Sequence, residues 1–523
     1  MTTQTLSSTD APAPATGGAP TLYEILQRRA RLTPDAEAYV DGDLRVTYAE
    51  AEQRAVALAA HLASLGVTPG DRVAILAKNG EFFATGLFAA ARLGAIAVAV
   101  NWRLPVPELV HVLTDSDPVV ILHDDDFTAN VDGFVDATGR AIPRLVHTAS
   151  GQGGYAEAIA GHTGEVTPPA DVALDAPALI MYTSGTTGRS KGAVITHANL
   201  FWSTDGMTVT MPWEASHRFL LVAPMFHIGG LAPLIADVFR GSATVFMRDF
   251  DPVAVWQTIK AERITTMMTV PLMAQAMLHV ARNADVDASS LINITCGASP
   301  VPPELVDAFA ELGVVLQVVY GSTEFSGQMT LAGPHIGPDY VRGQGRAVFH
   351  SDLRIVDPVT GADLPPGEAG EVWMRGPQRF AGYWNNPVAT AGAITADGWY
   401  RSGDLGHVDE TGVLVLVDRL KDLIISGGEN VYPAEVEAVL RQHPAVQDVA
   451  VVGTPDSTWG EIAVAYVVAT SPEGESADEI VAFARERLAG FKVPKQVTFI
   501  GQLPVNSVGK VLKGQLRDAA VAH

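Results

Sequence analysis

The run Tyr182-Thr-Ser-Gly-Thr-Thr-Gly-Arg-Ser-Lys191-Gly192 brings glycines, hydroxyls and a cation together at one spacing. Gly185, Gly188 and Gly192 let the backbone approach an anion closely, Thr183, Ser184, Thr186 and Thr187 supply donors, and Lys191 adds compact positive charge. That is chemistry for a polyphosphate. A Walker A loop has glycine directly before its lysine and a hydroxyl residue directly after. Ser190 and Gly192 stand at those places, which disfavours P-loop kinase or GTPase chemistry.

More motifs follow in order: Pro224-Met-Phe-His-Ile-Gly-Gly, Tyr320-Gly-Ser-Thr-Glu324, Tyr400-Arg-Ser-Gly-Asp404, the stretch from Asp418 to Pro433, and Pro504-Val-Asn-Ser-Val-Gly-Lys510. With the loop above, they make the sequence resemble the adenylate-forming superfamily of acyl-CoA synthetases, luciferases and nonribosomal adenylation domains, from about Thr21 to Arg517. The resemblance implies two steps: a carboxylate attacks the α-phosphate of ATP to give acyl-AMP and pyrophosphate, and a thiol then displaces AMP.

It also implies roles for residues. The nucleotide site comprises Thr183, Ser184, Gly185, Thr186, Thr187, Gly188, Lys191, Gly297, Ala298, Ser299, Tyr320, Gly321, Ser322, Thr323, Asp404, Arg419 and Lys510. Within it the Tyr320 ring stacks on adenine, Thr323 bonds an α-phosphate oxygen, and Glu324 is a hard oxygen ligand for Mg²⁺. Asp404 accepts from the ribose hydroxyls, and Arg419 contacts ribose or phosphate. The catalytic set is Lys510, His227 and Glu324, with Lys510 a mobile cation where carboxylate meets phosphate.

By the same resemblance, Ser426, Gly427 and Gly428 line a narrow thiol approach, and Trp459, Phe491 and Lys495 hold the CoA nucleotide. Val493 replaces an arginine seen in one such relative, with Lys492 as the available substitute. The acid pocket is drawn from His227, Ile228, Gly229, Gly230, Cys296, Phe325 and Gln328, and Lys421 is the interdomain hinge. Relatives that activate amino acids place an Asp near this pocket to pair the ammonium. None stands between Pro224 and Pro233, so a fatty or aryl acid is favoured. The expected activity is an ATP-dependent carboxylic acid–CoA ligase using ATP, Mg²⁺ and CoA. The alternative is an adenylating enzyme that passes its acid to a carrier protein or another nucleophile.

The elements that must position these groups belong to a long chain. At 523 residues, 47% apolar and 18% charged, it has material for several cores and is not a disordered sequence. Up to about Pro169 helices and strands alternate, as in Ala49 to Leu65 and Arg72-Val-Ala-Ile-Leu. From about Gly345 short β pieces lie between Gly, Pro and Asp turns. A compact α+β pattern follows Asp418. The expected fold is therefore α/β: a 1–20 disordered tail, a 21–417 domain of two α/β subdomains plus a β-rich one, a 418–421 hinge, and a small mobile 422–523 α+β domain.

Charge and cysteine content exclude other classes. The net charge of −23 repels nucleic acid and anionic membranes, although seven basic residues outnumber two acidic ones from Val481 onward. Cys296 stands alone, so no intramolecular disulfide or thiolate cluster can form. The apolar stretch Ala84 to Val100 carries Arg92 and is too short to span a bilayer. The C-terminal Ala-Val-Ala-His is neither a peroxisomal tripeptide nor a lipidation signal. A cytoplasmic location is expected, and a homodimer is compatible with these features.

Overall fold

The computed structural model describes residues 18–148, 153–161, 172–183, 189–337, 343–427, 429–471, 476–505 and 511–521. The expected tail lies outside these residues as far as position 17, as do Ser184 to Gly188, Gly428 and Lys510.

Two large sheets form the body. The first, seven-stranded, has a parallel run of Pro177–Thr183, Ile96–Ala99, Arg72–Leu76, Val120–Asp124 and, at its edge, Arg144–His147. Its strand Val120–Asp124 is buried at every position, as expected of a parallel strand covered by helices on both faces. The second sheet, nine-stranded, runs from Arg346–Ala347 through Gly327–Ala332, Val315–Ser322, Asn293–Gly297, Thr266–Thr269, Arg218–Leu221 and Ala243–Phe246 to Glu37–Asp41 and Leu44–Thr47. Antiparallel strands occupy both of its ends and parallel ones its middle.

Helix starts follow local chemistry. Thr21, Thr47 and Thr196 each close a reciprocal capping box, with Glu24, Glu50 and Asn199, before the helices Leu22–Leu32, Tyr48–Ser64 and His197–Thr210. The expected β-rich part is a four-stranded antiparallel sheet of Asp352–Val356, Gly370–Arg375, Tyr400–Val408 and Leu414–Arg419. Its last strand runs past the expected start of the hinge, because Asp418 and Arg419 pair with Leu405 and Asp404. One 3₁₀ turn, Leu420–Asp422, then leads to the C-terminal sheet, where Ile424–Ser426, Gly460–Ala469 and Val446–Asp456 enclose a separate apolar core. Among the described residues no helix is long and apolar enough to cross a membrane.

One buried histidine ties the first helix to the body. His197 Nδ1 accepts from the Leu22 amide at 3.2 Å, while its buried Nε2 has no partner among the described residues. Burial lowers its pKa to about 4 from the ordinary 6.5. The unfolded chain therefore binds the extra proton first, and stability is lost as pH falls from 6.5 toward 4. Between pH 7 and pH 5 this histidine should remove about 2 kcal/mol of stability. Thermal melts across that range check this. His197→Gln should start less stable at pH 7 and show a shallower decline.

Candidate active site

Of the expected phosphate contacts, Thr183 stands opposite Lys191 in the antiparallel pair Pro177–Thr183 and Lys191–Thr196. A Cβ on Gly192 would fall 2.8 Å from Ile180 Cγ2 and 3.2 Å from Tyr182 Cζ, so this glycine permits close packing. Lys191 Nζ lies 5.4 Å from the centre of the Tyr383 ring. The Tyr383 hydroxyl donates to Glu324 Oε1 at 2.8 Å, and Thr183 Oγ1 donates to the same oxygen at 3.3 Å. Burial, reinforced by the Glu324 charge, holds the Tyr383 phenol well above its usual pKa, so it stays a donor.

Glu324 is presented by a tight reversal. Val315–Ser322 ends in the 3₁₀ turn Thr323–Phe325, Ser326 takes the left-handed conformation (φ 54°), and the chain returns antiparallel as Gly327–Ala332. Gly321 must be glycine there, because a Cβ would lie 2.0 Å from the Gly327 carbonyl oxygen. Among the described residues no three metal-ligating side chains cluster. A single carboxylate beside the Thr183 hydroxyl nevertheless suits Mg²⁺, which takes most of its ligands from phosphates and water.

The expected ribose contacts gather at Tyr320, in the strand that leads into this turn. Tyr320 OH donates to Asp404 Oδ2 at 2.7 Å, and Arg419 Nε lies 3.4 Å from Asp404 Oδ1. Tyr320, Gly321, Ser322, Thr323 and Glu324 thus join the two sets of contacts in one five-residue run. Gly297 packs against Val319, its would-be Cβ 2.4 Å from the Val319 carbonyl oxygen. Left-handed Ala298 (φ 69°) and Ser299 then turn outward, exposed, past the C-terminal end of a parallel strand. That end is where open α/β sheets bind ligands.

The acid pocket is only partly as expected. His227 caps the helix Ile228–Arg240, and its buried Nε2 has no partner among the described residues. Burial, aided by the Arg103 charge, lowers its pKa to about 4, so it is a neutral imidazole near pH 7. Opposite it, a Cβ on Gly327 would meet Ala232, Ile228 and Ser203 at 3.6–3.7 Å, so two helices close around this glycine. Gln328 Nε2 donates to Met211 Sδ at 3.3 Å, with its buried Oε1 unpartnered among the described residues.

Three expected wall residues belong elsewhere. Cys296 lies in the core on the sheet face away from His227, because alternation along Asn293–Gly297 puts Ile294 and Cys296 on that side. Its thiol, pushed up to about 12 by burial, is inert. Phe325 turns into the core of the β-rich sheet with Phe380 and Tyr400. Gly230 serves packing, since a Cβ would sit 2.4 Å from the Pro224 carbonyl oxygen. Gly229 faces Met268.

In the C-terminal domain, Gly427 (φ 61°) donates its amide to the Trp459 carbonyl at 2.7 Å, and its would-be Cβ lies 2.9 Å from the Trp459 ring. Lys495 Nζ stands 5.6 Å from that ring's centre, and Trp459 is 46% exposed, a large apolar face open to a ligand. Ser426 is buried beside it, paired with Gly460. Phe491 instead packs on the domain core, where Val493 is buried. Lys492 is not a spare phosphate ligand: it binds both Glu435 carboxylate oxygens, at 2.7 and 2.8 Å.

Residues 26–384 match the AMP-binding enzyme family, and residues 435–510 match the AMP-binding enzyme C-terminal domain. This chain belongs to the AMP-binding enzyme family. Relatives in it include a feruloyl-CoA synthase of Amycolatopsis sp, 40% identical over 94% of this chain and 97% of its own length. An indoleacetate–CoA ligase of Aromatoleum aromaticum is 37% identical over 95% and 98%. Among solved AMP-binding structures, o-succinylbenzoate CoA synthetase from Bacillus subtilis with its acyl-adenylate intermediate superposes at a TM-score of 0.85. It is 32% identical, and the match covers 94% of this chain and 98% of that one.

Tyr383 escaped the sequence reading, because its partner Glu324 is 59 residues away and the run Phe380-Ala-Gly-Tyr383 carries no chemical pattern of its own. Tyr383→Phe should raise the Mg²⁺ concentration for half-maximal adenylation about tenfold, as expected for losing one hydrogen bond to a charged group. A magnesium titration of pyrophosphate release reads this directly.

Proposed function

We propose that this enzyme joins an aryl or fatty carboxylic acid to CoA in the cytoplasm, with acyl-AMP formed and consumed on one chain. The observation that carries the reading is the run Tyr320 to Glu324, with Asp404 held at one end and Glu324 at the other. That spacing suits a nucleotide with ribose at Asp404 and Arg419, and phosphates near Thr183, Lys191 and Glu324. Mg²⁺ on Glu324 would neutralise phosphate charge as it develops. The loop 184–188 completes the phosphate cradle in this reading. Neutral His227 faces the acid without adding a competing charge, and the small or apolar residues around Gly327 suit an uncharged acyl group.

For the second step, Gly427, Trp459 and Lys495 present a flat ring, a cation and a side-chain-free approach, which fit an adenine nucleotide and a narrow thiol arm. Lys510 supplies the cation for adenylation. Within the expected hinge 418–421 the bend then falls at Leu420 and Lys421, past the strand pairing of Asp418 and Arg419, and the following Asp422 pairs with Arg517 of the last helix, whose Nη2 also donates to the Lys421 carbonyl at 3.4 Å. A rotation there presents Lys510 and the Gly427 surface in turn.

AMP release from a panel of acids, with and without CoA, tests the activity. Release that depends on CoA and is greatest with aryl or fatty acids is expected; equal release without CoA would point to another acceptor. Half-reactions test the alternation. Lys510→Ala should slow adenylation roughly 10²–10³-fold and spare thioester formation from supplied acyl-AMP. Lys421→Pro should do the reverse, because it fixes φ at the hinge. Equal damage to both steps in both variants would rule the hinge out.

A further inference from the structure

The side chain of Asp404 is aimed by an irregularity in the β-rich sheet. Glu371 pairs with Leu405 and Trp373 with Arg401, so Ser402, Gly403 and Asp404 stand opposite Val372 alone. Such a bulge re-aims a side chain beside a site. Three contacts pin it. Ser402 Oγ donates to the Val372 carbonyl at 2.6 Å, the Asp404 amide donates to Ser402 Oγ at 3.1 Å, and the Gly403 amide donates to Glu371 Oε1 at 3.1 Å. Gly403 has φ 70°, the left-handed region in which glycine is favoured.

Glu371 is unusual. It is 7% exposed and has no ion-pair partner among the described residues, although a buried carboxylate is costly unless its lone pairs are satisfied. Its second oxygen, Oε2, accepts from Trp373 Nε1 at 2.7 Å. Trp373 is itself immobilised, with the guanidinium carbons of Arg354 and Arg401 at 4.8 and 4.9 Å from its ring centre. Arg354 and Arg375 flank Trp399 likewise, at 4.4 and 4.5 Å. The ladder of arginines and tryptophans on this sheet face thus ends at a carboxylate, and the carboxylate ends at the backbone next to Asp404.

We infer that Glu371 is a positioning residue for the nucleotide: through the Gly403 amide it sets the bulge that aims Asp404 at the ribose hydroxyls. This rests on the ribose role proposed for Asp404. Glutamine in place of Glu371 keeps size but offers one acceptor oxygen for two N–H donors, so either Gly403 or Trp373 must face an amide NH₂. The bulge then relaxes, and the loss falls on the part of ATP that Asp404 touches.

The test compares ATP with 2′,3′-dideoxy-ATP in the adenylation half-reaction of wild type, Asp404→Ala and Glu371→Gln. Glu371→Gln should raise KM for ATP about tenfold with kcat within about threefold, yet leave KM for the dideoxy nucleotide within about twofold of wild type. Glu371→Asp, which keeps the charge but draws it back by one methylene, should show the same split more weakly, and serves if the glutamine variant does not fold. Equal losses with both nucleotides in the Glu371 variants, while Asp404→Ala discriminates between them, would overturn the inference and leave Glu371 a purely structural residue. If Asp404→Ala itself fails to discriminate, the ribose role of Asp404 falls, and the inference with it.

Discussion

Two phenol-to-carboxylate hydrogen bonds, Tyr383 to Glu324 and Tyr320 to Asp404, hold the site in register. A carboxylate must stay ionised to meet a metal or a ribose, and it must also stay aimed. A phenol aims it without neutralising it, and at Asp404 the Arg419 guanidinium adds a cation at the other oxygen, 3.4 Å away. Burial keeps both phenols protonated far above ordinary pH, so each remains a donor. The rest of the machinery depends on these two fixed anions, because the run Tyr320 to Glu324 sets their separation and the flanking sheets each supply one partner.

The same economy explains how a chain of net charge −23 can receive a polyanion. In the proposed site local donors would do the work: the Thr183 hydroxyl and Lys191 at the phosphates, Arg419 at the ribose. Glycine removes side chains where the backbone must come close. At Gly321 and Gly297 any side chain would collide with a neighbouring carbonyl, which is a packing reason for glycine independent of the ligand.

Much of this was legible in the sequence because it is local. Buried parallel strands read as apolar runs, and the expected phosphate loop as spaced glycines with hydroxyls and lysine. What was illegible needed register or distance. Cys296 sits one residue from Gly297, and nothing in the chain near it says which face of the strand meets His227; the nine-stranded sheet decides that. Phe325 follows Glu324 directly, but the 3₁₀ turn sends it into a different core. Lys492 had the chemistry of a phosphate ligand until Glu435, 57 residues earlier, claimed its charge. Tyr383 and Glu371 act on partners 59 and 32 residues away, through contacts that only the folded sheets create.

The strand Glu37–Asp41 carries a consequence for how the chain is made. It pairs antiparallel with Leu44–Thr47, which follows at once, and in parallel with Ala243–Phe246, Tyr39 beside Thr244, so the strand that joins this hairpin to the rest of its sheet lies about 200 residues downstream. At the usual pace of synthesis that strand emerges roughly 10–40 s later. The parallel strands of the other sheet, from Arg72–Leu76 to Pro177–Thr183, are all synthesised before that. The hairpin of Glu37–Asp41 and Leu44–Thr47 therefore exists before the strand that joins it to the rest of its sheet, and the nascent chain must carry one open strand edge until Ala243–Phe246 arrives.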